Sequence, residues 1–152
     1  MSLTSILPNK PSELILLALQ DLKSTEASEK YEIRMGNWHF PPSLISYFSS
    51  EVKIPSCQVC FAGSVMAFSL EADINRYYGP KDFPGEERKL RSLVVFRTGH
   101  VTYGMRTFYH DKDTTNYKEI NDHLVIPHYH DDREGFYEAM AEMADYLKEK
   151  GY

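Results

Sequence analysis

The sequence predicts a mainly α fold, a compact, single-domain, bundle-like arrangement of helices with an irregular His/Asp-rich loop and room for one small β hairpin. Three observations lead there. Apolar residues recur at helical spacing after Pro11, a long apolar segment follows Ser56, and the C-terminal stretch carries a helix signal at both of its ends. At 152 residues the chain is long enough to bury one sizeable core. Residues 1–9 read as an irregular N-terminal arm and residues 10–152 as a single helical domain.

The first helix is expected over 10–23. Asn9 is suited to cap it, and Pro11 is tolerated in a first turn because its missing N–H would have no partner there. Leu14, Ile15, Ala18, Leu19 and Leu22 then share one face, and "STEASEK" supplies residues that end helices. Tyr31, Ile33 and Met35 alternate, which predicts a short extended run, and Gly36 with Pro41 and Pro42 predicts a turn. Trp38, the single tryptophan, is expected to plug the core from that turn, and Ser43 to start a short helix.

"IPSCQVCFAGSVMAFSLE" predicts a second helix over 57–70. Pro55 keeps Ile54 out of the α region, and Ser56 is a capping residue. Cys60, Gly63, Ser64 and Ala67 form a stripe of small residues that would let another helix approach closely. A helix apolar nearly all round is a buried one, so this segment is placed at the centre of the fold. "EERKLRSLVVFRTG" predicts a further helix through Leu90, Leu93 and Val94, with one or two helices in all between 86 and 109. The rival is a hairpin within residues 93–106, which the β-branched residues favour. The final helix, 132–150, begins at an Asp131 or Asp132 cap, buries Phe136, Met140, Met143 and Leu147, and ends at Gly151.

Charge and composition narrow the function. A net charge of −5 does not recruit a phosphate backbone by bulk attraction, so nucleic acid is not the expected partner. No apolar run approaches a membrane span, and no basic region precedes "LILLALQ" as it would in an export signal. A cytoplasmic, reducing location is the expectation. The 11 Tyr and 8 Phe exceed what short helices bury, which predicts a homodimer or a protein partner contacted through aromatic rings. Trp38, Tyr77, Tyr78 and Tyr109 are the candidate binding residues.

Two constellations could carry chemistry. Cys57 and Cys60 form a C-x-x-C, the spacing of a dithiol or of half a zinc site. Without a βαβ setting it reads as two small structural residues. The second is the His/Asp cluster between 110 and 132, in which His110, Asp111, His128, His130 and Asp131 are candidate ligands for a divalent metal. Such a metal could activate water, so the alternative function is a metal-dependent hydrolase or a metal-binding protein. No nucleophile elbow, phosphate loop or dinucleotide fingerprint occurs. The function predicted first is therefore a non-catalytic binding or protein-interaction domain, with no cofactor.

Overall fold

The computed structural model describes residues 6–44, 56–97 and 126–152. Within them the chain is mainly α, with a three-stranded sheet. The elements are α1 (Pro11–Ala27), β1 (Tyr31–Ile33), β2 (His39–Phe40), β3 (Cys57–Val59), α2 (Phe61–Phe68), a 3-10 turn (Pro80–Asp82), α3 (Glu87–Arg97) and α4 (Arg133–Glu149). No helix among the described residues is long and apolar enough to cross a membrane.

Helix α1 starts where the proline predicts but runs four residues beyond Lys23. Its cap position is Lys10, not Asn9, and Lys10 contributes no side-chain bond. Two features carry it through "STEA". The Thr25 hydroxyl donates to the Asp21 carbonyl at 2.8 Å, which satisfies a buried polar group inside the helix. Glu26 is held from outside by α4 and the loop before it. Tertiary contacts thus override the poor helix propensity of Ser and Thr.

The main departure from expectation lies at the C-x-x-C. Cys57–Val59 is not the first turn of a helix but β3, the central strand of a sheet ordered β1-β3-β2. It pairs in parallel with β1, Tyr31 opposite Cys57 and Ile33 opposite Val59. It pairs antiparallel with β2, His39 opposite Val59 and Phe40 opposite Gln58. Its side chains alternate as a strand's must, with Cys57 and Val59 buried and Gln58 between them partly exposed. The helix begins only at Phe61. Cys60 is its N-cap, and its sulfur accepts from the Gly63 N–H at 3.3 Å.

The sheet is not the hairpin weighed for residues 93–106. Residues 93–97 belong to α3, and the rest of that segment lies outside the described residues. The helix expected from Ser43 lies mostly outside them as well.

The core runs along α1. Leu14, Ile15 and Leu22 meet Phe61 and Met66 from α2, Leu90 and Leu93 from α3, and Phe136, Met140, Met143 and Leu147 from α4. α2 is the most fully enclosed helix, with Phe61 to Met66 all buried. The element packed against both α2 and α4 is α1, not α2 as expected. Phe61 and Phe136 meet edge to face at 5.4 Å in the middle, a favourable aromatic geometry. The described part of the N-terminal arm is pinned to α3. The Ile6 and Leu7 amides donate to the Glu86 carboxylate, and the Lys89 ammonium donates to the Leu7 carbonyl at 2.8 Å. At the far end Ser12 donates to the Tyr152 carbonyl at 2.6 Å, closing the C-terminus onto the start of α1.

Candidate functional site

The two cysteines of the C-x-x-C are both buried. Cys57 is fully buried on β3, and its sulfur lies 3.7 Å from Nε2 and 3.8 Å from Nδ1 of His39 on β2. Sequence reasoning missed His39, because cross-strand neighbours are set by register and leave no local signal. A cysteine beside a histidine is the geometry of an activated nucleophile, yet here the environment works against activation. Nδ1 of His39 is 2.9 Å from the Arg76 carbonyl, which can only accept, so Nδ1 carries the proton. That leaves Nε2 as an acceptor for the thiol. Burial pushes the Cys57 thiol up to about 12 and lowers the His39 imidazole, partly offset by its bond to Arg76. Both shifts favour the neutral pair over thiolate and imidazolium. Cys60 is also buried, with its sulfur committed to the cap of α2.

A second feature is open to solvent. The turn after β1 and the loop before α4 enclose a cleft of about 430 Å³, lined by Arg34, Met35, Gly36, Asn37, His128 and His130. Each wall has a structural reason. The Asn37 amide N–H donates to the Arg34 carbonyl at 3.0 Å, closing the turn. The Asn37 side chain donates to Gln58 on β3 at 2.6 Å, fixing the turn to the sheet. Met35 is buried beneath it. On the opposite wall the loop alternates. Tyr129 is buried, while His128 and His130 are exposed on either side. Their rings stand 5.7 Å apart, and the His130 amide donates to Nδ1 of His128 at 3.3 Å.

Tyr129 is the anchor that aims the histidines. Its hydroxyl donates to Glu26 at 2.9 Å, and its ring packs edge-on against Phe136 at 5.7 Å. Glu26 also accepts from the Tyr137 hydroxyl and from Arg133, the latter at 3.0 Å. Burial first, and then the Glu26 carboxylate, push the Tyr129 hydroxyl up to about 12 and raise that of Tyr137. Both therefore stay protonated donors, and the loop is locked onto α1 and α4.

The other sequence candidates do not converge here. Among the metal candidates, His110 and Asp111 lie outside the described residues. Asp131 is exposed on the turn before α4, and the neighbouring Asp132 caps that helix by accepting from the Gly135 amide at 3.0 Å. Among the described residues no group of three or more His, Cys, Asp or Glu is placed to hold a metal. Tyr77 is 52% exposed and edge-on to Phe40 at 6.0 Å, on the β2 side of the sheet. Tyr78 is wedged between His39 and Phe83, and its hydroxyl accepts from the Asp73 amide. Trp38 packs partly buried against the core, as expected of a plug. Tyr109 lies outside the described residues.

No protein family, curated protein or solved structure matches the chain.

Proposed function

We propose that this is a non-catalytic binding protein that takes a small ligand in the cleft between the β1–β2 turn and the loop before α4. The observation that supports this most is the composition of the cleft wall. Among the described residues it presents a guanidinium, a carboxamide and two imidazoles, and no hydroxyl, thiol or carboxylate. A guanidinium and a carboxamide recognise and orient, and the imidazoles add further polar contacts. The Cys57–His39 thiol–imidazole pair is not among the lining residues, and it is buried and neutral. The volume is in the range of small-molecule sites, roughly 300–1,000 Å³.

Gly36 offers a way to close the cleft without disturbing the fold. A Cβ there would meet nothing within 4 Å. The test is an amide-detected fragment screen with anionic, cationic and neutral members, run on the parent and on Gly36→Trp. The expected result is that hits shift the amides of residues 34–37 and 128–130, disappear in Gly36→Trp at an unchanged melting temperature, and are recovered chemically intact. Hits scattered over the surface, or unaffected by Gly36→Trp, would contradict the proposal.

A further inference from the structure

We infer that the cleft is selective for an oxyanion, the phosphoryl or carboxyl group of a small ligand, with Arg34 as its anchor. This deepens the binding reading and rests on it. Among the described lining residues Arg34, His128 and His130 present nitrogen, Asn37 already gives an amide hydrogen to Gln58, and three neighbouring carboxylates have other partners. Glu32 is paired with Arg34 at 2.9 Å. Asp132 is held by the Gly135 amide. Glu26 is held by two tyrosines and Arg133. Asp131, on the same turn as the histidines, is exposed to solvent.

The Arg34 pairing does not exhaust the guanidinium. The Glu32 contact is at Nη2. A guanidinium is a planar fork of five N–H donors, so it keeps a second edge for a two-pronged contact with an oxyanion. Its side chain is 57% exposed, so solvent and ligand reach it equally. His128 and His130 face it across the cleft as a pair, and Asn37 stands beside it with its orientation fixed by Gln58. A cleft of about 430 Å³ is larger than a bare ion needs, so the ligand carries a body as well as the charged group. The chain as a whole is negative at −5, so bulk attraction does not draw anions in. Recognition must come from the local arrangement.

The test is a titration with sodium phosphate and, separately, sodium acetate at constant ionic strength, with chloride as the control. It follows the amides of 34–37 and 128–130 in the parent, Arg34→Gln and Gly36→Trp. Saturable shifts are expected with at least one of the two anions and not with chloride. The Arg34→Gln variant should bind about ten- to a hundredfold more weakly, the range of a lost charge-assisted bond. The stronger of the two responses tells a phosphoryl from a carboxyl ligand. Shifts that do not saturate, or that Arg34→Gln leaves unchanged, overturn the inference. If neutral or cationic fragments occupy the cleft while both anions fail, the anion selectivity is wrong and the binding reading stands. If nothing occupies the cleft, both fall.

Discussion

Gly63→Leu should be strongly destabilising, and even Gly63→Ala should be felt. A Cβ at Gly63 would overlap the Trp38 carbonyl oxygen and come within 2.9 Å of the Trp38 carbonyl carbon and of Val59 Cβ. The sequence reading expected a second helix against this small-residue stripe. The neighbour is instead the backbone leading into β2, which sits directly on the first turn of α2. A side chain can change rotamer to make room, but a backbone carbonyl moves only if its strand moves. Displacing Trp38 would disturb His39 and its pairing with Val59, and would also strain the Gly63 N–H bond that Cys60 caps. Overpacking costs typically 1–3 kcal/mol, and a backbone obstacle places this case at about 3 kcal/mol or more. In a chain of this length that is a fall of about 6–12 °C in the melting temperature. Gly36→Leu is the control, since its site is open, and should stay within about 0.5 kcal/mol of the parent. A Gly63→Leu melting point within a degree or two of the parent would show that the sheet does not rest on α2 in this way.

The second large effect is expected from Asp21→Asn, and it should depend on pH. Asp21 is 7% exposed on α1 and accepts from the Ser69 hydroxyl at 2.5 Å. Burial raises its pKa from 3.8 to about 6, and the Ser69 bond only partly opposes the rise. The folded state therefore holds this proton more tightly than the unfolded state does. The neutral acid contributes stability that is complete below pH 3.8 and is lost as pH rises through about 6. A shift of this size, discounted for the solvent that still reaches the carboxyl, corresponds to on the order of 1–2 kcal/mol. Asparagine keeps an oxygen for Ser69 and never ionises. At pH 7.5 the variant should be the more stable by that amount, about 2–8 °C in melting temperature, and at pH 4 the two should nearly coincide. Every other carboxylate is common to both proteins and cancels in the difference. A difference that does not change with pH, or an asparagine variant less stable at pH 7.5, would show that Asp21 is ionised at little cost.

What the sequence discloses and what it hides follow from the range of the interactions. Helices α1 and α4 are legible because Leu14, Ile15, Ala18 and Leu22, like Phe136, Met140, Met143 and Leu147, report their burial through local spacing. The caps of α4 are equally local, Asp132 at one end and Gly151 with its φ of 89° at the other. The extended run at Tyr31 and Ile33 was visible by the same means. β3 was not, because Cys57 and Val59 continue an apolar pattern that suits a buried helix as well as a strand. The choice is made by Tyr31–Ile33 and His39–Phe40, some twenty residues earlier, which supply its hydrogen bonds. The cleft was half legible. His128 and His130 stand out in the sequence as an H-x-H pair, but their counterparts across the cleft, Arg34 and Asn37, lie more than ninety residues away in a turn marked only by Gly36. His39 was hidden from Cys57 in the same way, across 18 residues of sequence.

The proposed function has this molecule work by recognition in the cleft and not by thiol chemistry at the C-x-x-C. The most direct measurement is iodoacetamide labelling of the native protein between pH 6 and 9, with Cys57 and Cys60 followed separately by mass spectrometry. With burial holding the Cys57 pKa at about 12, the thiol stays protonated across this range, and the buried sulfur is closed to the reagent as well. Neither cysteine should be labelled faster than the protein unfolds. Rapid, selective labelling of Cys57 at or below neutral pH would reveal an accessible thiolate beside His39, and would contradict the proposed function.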